Sequence, residues 1–214
     1  MKKLSIILVL TFAMAAGTYA QKSFYTGALV FSANYGIDGN ITEQHYAYQE
    51  GSNAQTINGM TPASDFSMGG EVGLLNWLGV GLIARVDDYT PENNQLIHSS
   101  PSVGAFDFGG IINIHVLRMN HTDILGGVDW GVSQLTYNVN NGTNTTSYGS
   151  GNWSDIHATA RFYFNKFGFN FTLFAPTVTY NNLQTNNPDV GEYIVNYWKS
   201  TGYGASVGLQ YRLL

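Results

Sequence analysis

Hydrophobic and polar residues alternate along eight segments of the chain, so that every second side chain is apolar. The stretch EVGLLNWLGVGLIARVDDY, residues 71–89, is the clearest case, with Val80, Leu82 and Val86 separated by glycine or charged residues. A two-residue period is the spacing of side chains on one face of a β-strand. The eight segments are 26–37, 65–75, 77–88, 104–116, 122–137, 153–164, 167–180 and 203–214. The pattern therefore predicts an all-β protein of eight strands.

The connections between these predicted strands alternate in length. The short connections are 76–77, 117–122 and 165–167, and the long connections are 38–64, 89–103, 138–152 and 181–202. Tight turns on one rim and long loops on the other are typical of an antiparallel up-and-down transmembrane barrel. The long connections are rich in Asn, Thr, Gly and Tyr, which predicts four solvated surface loops.

The composition of the second strand face decides which face points inward. It consists largely of glycine, whereas the face of a soluble barrel that meets water carries Lys, Glu and Gln. The glycines are Gly69, Gly73, Gly79, Gly81, Gly109, Gly127, Gly131 and Gly208. A glycine-lined face exposed to water weakens a strand without any gain. We therefore expect the glycine-rich face inside a closed eight-stranded barrel and the apolar face toward lipid.

An eight-stranded barrel is filled by its own side chains, so charged residues on the inner face need partners. Folding the chain about the midpoints of its connections predicts which residues meet. The expected interior ion-pair residues are Arg85 with Asp107, Arg161 with Asp129, and His115 with Asp123, together with Glu71 and Arg212. If this pairing holds, replacing Arg161 by alanine would leave Asp129 buried without a partner, at a cost of about 3–5 kcal/mol.

Aromatic residues recur near the ends of the predicted strands. Those near the short turns are Trp77, Phe164, Phe167, Phe169 and Tyr211. Those near the long connections are Tyr35, Tyr89, Trp153, Tyr180 and Tyr203. Two such belts fit the two interfaces of a bilayer.

The N-terminal stretch MKKLSIILVLTFAMAAGTYAQ has the three parts of an export signal. Two lysines precede an apolar run over residues 4–16, and small residues occupy positions 18 and 20. This pattern predicts a signal peptide over 1–20, cleaved after Ala20, followed by one barrel domain over 21–214.

The overall amino-acid composition limits the classes of molecule that this protein is expected to bind. Charged residues make up only 11% of the chain, the formal net charge is −5 and no cysteine is present. An acidic chain argues against nucleic acid as a partner, and the absence of cysteine excludes both disulfides and lipid attachment to an N-terminal cysteine.

The segments RFYFNKFGFNFTLFAP and STGYGASVGLQYRLL, with EVGLLNWLGVGLIARV, are similar to a known family. They resemble the OmpA/OmpX-like small outer-membrane β-barrel proteins of Gram-negative bacteria, in particular the group called the outer-membrane protein β-barrel domain. The resemblance covers essentially the whole mature chain, as a pattern of residue types and not as a specific sequence signature. It implies a barrel in the outer membrane, in contact with its lipid, whereas activities differ between members. Members often end in phenylalanine, but this chain ends in Leu214.

No catalytic, phosphate-binding or metal-binding motif accompanies the barrel pattern. We therefore expect a monomeric, non-enzymatic protein without cofactor or metal, whose loops serve a structural role, adhesion, or binding of an extracellular protein or glycan. A lipid-modifying enzyme is one alternative, with His115 and Asp123 or His157 and Asp155 as its candidate groups. A soluble lipocalin-like ligand-binding barrel is the other.

Overall fold

The structure is a computed structural model that describes residues 23–48, 54–91, 101–140, 144–186 and 193–213. The predicted signal segment 1–20 lies outside these ranges. The strands are β1 Leu29–Tyr48, β2 Ala54–Leu75, β3 Leu78–Tyr89, β4 Ser102–Arg118, β5 Thr122–Asn140, β6 Asn144–Phe164, β7 Phe167–Asn181, β8 Gln184–Asn186 and β9 Tyr193–Arg212. Across the described ranges, no helix is long and apolar enough to span a membrane.

The eight long strands form a closed antiparallel ring. Each of β1 to β6 pairs with the next strand in the chain, β7 pairs with β9, and β9 returns to β1. The three-residue strand β8 adds only to the end of β6, beyond the last pair that β6 forms with β7. The predicted eight-stranded up-and-down barrel is therefore confirmed.

The apolar face of the strands points away from the barrel axis. Leu82, Phe164 and Leu209 are 60–72% exposed, whereas the neighbouring inward position Arg85 is 5% exposed. This orientation confirms the inward glycine-rich face, and it excludes the soluble alternative in which the apolar face turns toward the axis.

The outward apolar residues form a band of constant height. On four consecutive strands of the ring the band covers nine residues: 124–132, 156–164, 167–175 and 203–211. A tilted barrel strand needs about 9–11 residues to cross the hydrocarbon layer of a bilayer. We call this feature the apolar band, and it matches the thickness of one membrane.

The strands continue past the apolar band. The prediction that the long connections are loops is therefore wrong for most of them, because they consist largely of strand. The ladder of β1 and β2 runs to the pair Ala47 and Ala54, and the ladder of β5 and β6 runs to Asn140 and Asn144. Strand β9 also begins well inside the expected loop 181–202. The expected loop 89–103 does separate β3 from β4, although residues 92–100 lie outside the description.

The polarity of the strands reverses where they leave the apolar band. On β5 the outward residues change from Val132 to Gln134 and Thr136, while the inward residues become Leu135 and Tyr137. Water outside the membrane favours polar outward side chains, and the apolar inward ones then bury one another. This hydrophobic interior stabilises the projecting strands, which composition alone had suggested to be loops.

The inward residues of this projection form an aromatic cluster that fills the upper lumen. Its buried members are Tyr46, Ala63, Tyr89, Val103, Ala105, Leu135, Tyr137, Val139, Trp153, Val178, Tyr180, Leu183, Val195 and Trp198. The indole of Trp198 meets the rings of Tyr89 and Tyr137 edge-on, with centroids 5.9 and 5.7 Å apart. These edge-to-face contacts add to the stabilisation from burial.

Of the two predicted aromatic belts, the one near the long connections is only partly observed. Tyr89, Trp153 and Tyr180 lie inside the barrel and are at most 4% exposed, whereas Tyr35 and Tyr203 do face outward. At the opposite rim the outward placement is observed for Trp77, Phe164, Phe167 and Phe169. Tyr89, Trp153 and Tyr180 lie above the point where strand polarity reverses. The apolar face of the strand points inward there, so these three side chains are buried in the lumen.

The N-terminal segment, residues 23–28, enters the barrel at the short-turn end. Gly27 donates its N–H to the Gly73 carbonyl at 2.7 Å, and Gly73 donates to the Ala28 carbonyl at 2.8 Å. Phe24 is 2% exposed. The segment therefore closes the short-turn mouth of the lumen.

Candidate functional site in the barrel interior

An upper ion network lies directly beneath the aromatic cluster and is centred on Arg85. Its Nη2 donates to Asp107 Oδ2 at 2.8 Å and its Nε to Asp87 Oδ2 at 3.2 Å. Nη1 lies 3.7 Å from Asp155 Oδ2, and the guanidinium stands 4.9 Å from the ring centroid of Trp153. The structure thus brings together Arg85 and Asp107, the pair expected from the sequence, and adds two more carboxylates.

A lower ion network occupies the lumen near the short turns. Arg161 Nη2 lies 2.7 Å from Glu71 Oε2, and Nη1 lies 3.7 Å from Asp123 Oδ2. His115 bridges the same two acids, with Nε2 at 2.8 Å from Glu71 and Nδ1 at 2.8 Å from Asp123. A Cβ at Gly79 would overlap Glu71 Oε1, so only glycine leaves the space that Glu71 occupies. The expected proximity of His115 and Asp123 is present in this network.

The expected pairing of Arg161 with Asp129 is wrong. The β5–β6 hairpin is centred on residue 142 rather than 145, which moves Arg161 opposite Asp123 and puts Asp129 opposite Asp155. His157 takes the place beside Asp129, with Nδ1 3.5 Å from Oδ2. A three-residue error in the turn displaces a cross-strand partner by six residues, because both strands shift.

Arg212 lies at the short-turn mouth. It donates to the backbone carbonyls of Ser23 at 2.9 Å and Asn165 at 3.1 Å, and its guanidinium stands 4.7 Å from the ring centroid of Tyr163. The structure therefore places this predicted interior residue where it anchors the N-terminal segment.

The ring of Phe24 stacks on the imidazole of His115. The ring centroids are 3.5 Å apart and the planes differ by 10°. The N-terminal segment thus rests directly on the lower ion network and separates it from the short-turn mouth.

A polar cavity of about 80 Å³ lies within the lumen. Its lining includes residues of both ion networks and neutral polar side chains of β1, β7 and β9, among them Asn34, Asn170 and Ser206. The lumen is therefore filled in layers, with the aromatic cluster above the ion networks and the N-terminal segment below them.

The two lumen histidines are held through both ring nitrogens. His115 contacts two carboxylates, and His157 contacts Asp129 through Nδ1 and Asn113 Oδ1 through Nε2 at 3.0 Å. A general base that activates a nucleophile needs one free ring nitrogen facing it. Within the described ranges, no three His, Asp or Glu residues are grouped so that they could hold a metal ion.

Sequence reasoning missed the aromatic cluster, although a signal for it exists. Leu135, Tyr137 and Val139 keep a two-residue period, but in the opposite phase to Val128, Trp130 and Val132. A change of phase within one alternating run indicates that the buried and exposed faces of the strand exchange.

The outward face of the projection is neutral and polar. On the β5–β6 hairpin it presents Gln134 opposite Ser150 and Thr136 opposite Tyr148, all exposed. We call these four residues the hairpin surface. Residues 133–140 of β5 rise roughly 20 Å above the apolar band, at about 3.3 Å per residue and a tilt of about 45°.

Comparisons with known proteins give structural but not sequence matches. No protein-family profile matches the sequence, and no curated protein is significantly similar to it. The outer membrane protein OprG of Pseudomonas aeruginosa is 11% identical with a TM-score of 0.55, covering 89% of this chain and 97% of its own. Neisserial surface protein A is 9% identical with a TM-score of 0.45 over 84% and 97% of the two chains. Ail of Yersinia pestis is 11% identical with a TM-score of 0.46 over 87% and 99%.

At this level of identity, the similarity to OprG concerns the fold. It extends over nearly the whole of both chains, and it agrees with the closed ring and the outward apolar band. The chain therefore has the fold of the small outer-membrane β-barrel proteins, as the sequence resemblance implies.

Proposed function

We propose that this chain is an integral outer-membrane protein that presents a rigid strand-built projection for binding outside the cell. On this proposal, the segment 1–20 directs export and the apolar band lies in the lipid. The hairpin ends then display polar side chains to an extracellular protein or glycan. The observation that carries the proposal is the reversal of strand polarity above the apolar band, because a polar exterior around a hydrophobic interior is suited to water.

The chemistry of the hairpin surface supports a binding role. Tyrosine supplies contact area at low entropic cost, and Ser, Thr and Gln supply adaptable hydrogen bonds. His45 and Tyr197 add a second, partly exposed patch, in which the rings stack with centroids 4.3 Å apart. Because the aromatic cluster supports the strands from within, the surface is ordered before a partner arrives, which reduces the entropic cost of binding.

The filled lumen supports a role other than that of an open pore. The aromatic cluster and the ion networks occupy its cross-section at successive heights. Purified protein in planar lipid bilayers is therefore expected to show no steady conductance.

The contacts of the lumen histidines argue against the lipid-modifying alternative. Both ring nitrogens of His115 and His157 are engaged, which leaves neither free to activate a nucleophile. We accordingly propose a non-enzymatic protein.

Binding is tested with intact cells that express the protein, probed with a glycan array and with purified extracellular-matrix proteins. The variant Thr136→Glu/Ser150→Glu places two negative charges on the hairpin surface without touching the interior. We expect it to lose at least ten-fold in affinity for any probe that the wild type binds there, while its heat-modifiable gel mobility stays unchanged. The control Ser102→Glu adds charge on another strand.

Two results would overturn the proposal. One is recovery of the protein in the soluble periplasmic fraction without detergent. The other is protease resistance of the hairpin surface in intact cells combined with cleavage at the turn Asn165–Lys166, which would place the projection on the inner side.

A further inference from the structure

Negative charge exceeds positive charge in the lumen. Seven carboxyl groups are buried there: Asp65, Glu71, Asp87, Asp107, Asp123, Asp129 and Asp155. Among the described residues, the cations in contact with them are Arg85, Arg161, His115 and His157. Three carboxylates therefore lack a balancing charge even with both imidazoles protonated, and two lack one if Arg212 at the mouth is included.

Two of these carboxyl groups and one amide side chain line the polar cavity. Asp65, Asp129 and Asn170 line it and are 4%, 6% and 3% exposed. Asp65 Oδ2, Asp129 Oδ1 and Asn170 Oδ1 each lack a hydrogen-bond partner among the described residues. All three atoms are acceptors, so the species they face must supply positive charge or donate hydrogen bonds.

Water molecules alone could donate hydrogen bonds to these acceptors, but they would leave the excess negative charge of the lumen uncompensated. The cavity of about 80 Å³ has room for several water molecules or for a small ion with part of its water shell. An uncompensated carboxylate in a lumen surrounded by hydrocarbon is strongly unfavourable. A cation with part of its water shell satisfies both requirements.

The ligand atoms indicate which cation fits. Carboxylate and amide oxygens are hard ligands and favour hard cations. Asp65, Asp129 and Asn170 offer three unpartnered oxygen atoms, fewer than the roughly six to eight oxygens that Ca²⁺ takes, which favours a monovalent ion that keeps part of its water shell. We propose that this cavity binds a monovalent alkali cation such as Na⁺, between the carboxylates of Asp65 and Asp129, with the amide oxygen of Asn170 as the neutral ligand.

The position of Asp65 supports this assignment. A Cβ at Gly36 would overlap Asp65 Oδ2, so the carboxylate packs closely against the backbone of the adjacent strand β1. Glycine at this position leaves room for a carboxylate that forms no ion pair with an arginine of the described ranges. The proposal concerns the interior of the barrel and does not depend on what the projection binds.

Thermal unfolding of the full protein in detergent micelles tests the proposal. Midpoints are compared in NaCl and in N-methyl-D-glucamine chloride at equal ionic strength, because the organic cation is too large for the cavity. With Na⁺ at about ten times its Kd, we expect the midpoint to be about 3–6 °C higher in NaCl. The variants Asp65→Asn and Asp129→Asn should lose this difference, whereas Asp88→Asn, which removes an exposed acid, should keep it.

Sodium-23 NMR gives a direct second readout. We expect wild-type protein to broaden the Na⁺ signal more than Asp65→Asn at the same concentration. Equal midpoints in the two salts and equal line widths would overturn the proposal. So would a midpoint that rises equally in both salts as the pH falls from 8 to 5, because protons on the seven carboxyl groups would then supply the neutralisation.

Discussion

Replacing Arg161 by methionine tests which carboxylate the guanidinium neutralises. Arg161 lies 2.7 Å from Glu71 and 3.7 Å from Asp123, and it is buried with both of them. Methionine keeps much of the side-chain volume, so the effect reports mainly the loss of charge.

The magnitude follows from the shorter contact. Two unit charges 2.7 Å apart attract each other by about 6 kcal/mol at an effective dielectric constant of about 20. Removing the arginine also removes its desolvation penalty, and Glu71 keeps its contact with His115. We therefore expect Arg161→Met to lower the free energy of unfolding by about 3–5 kcal/mol, the usual cost of breaking a buried ion pair.

The assay is urea unfolding of protein folded into lipid vesicles, followed by tryptophan fluorescence, with the slopes compared to verify the same transition. A second substitution then identifies the partner. Adding Glu71→Gln to Arg161→Met should restore about half of the lost stability or more, because no unpaired charge remains at that contact. Adding Asp129→Asn instead should restore little. A loss below about 1 kcal/mol, or equal rescue by Asp129→Asn, would refute the network described here.

Five further substitutions test three other parts of the structure. Trp198→Ala removes the centre of the aromatic cluster and should cost about 3–5 kcal/mol in urea unfolding, whereas Tyr148→Ala on the hairpin surface should cost less than 1 kcal/mol. Leu82→Arg, at the middle of the apolar band on β3, should cost about 2–4 kcal/mol in lipid vesicles. Gln134→Arg, above the band, should cost about 0–1 kcal/mol, and equal costs would contradict the position of the band. Phe24→Ala removes the ring that stacks on His115 and should loosen the N-terminal segment. We expect bursts of conductance in planar bilayers and faster proteolysis near residue 23. Recordings without any conductance would contradict this expectation.

The amino-acid sequence by itself determined the barrel and its orientation. Eight alternating runs predict eight strands. The strand face that does not carry Leu82 and Phe106 is rich in glycine, which shows that this face points inward and not toward water. The contact of Arg85 with Asp107 also followed from sequence, since the long connection between β3 and β4 is indeed centred near residue 96. These features depend only on local periodicity and on one hairpin midpoint.

Only the tertiary structure decided where the strands end and which acids meet which cations. Leu135 and Tyr137 stabilise the projection through contacts with side chains from distant strands, so the local Asn- and Thr-rich composition predicts loops instead. Glu71 meets Arg161 across the lumen, from strands that are not neighbours in the ring, and no hairpin midpoint encodes that contact. The physical reason is the same in both cases, because ring closure brings together side chains far apart in sequence and their mutual burial then sets the local structure.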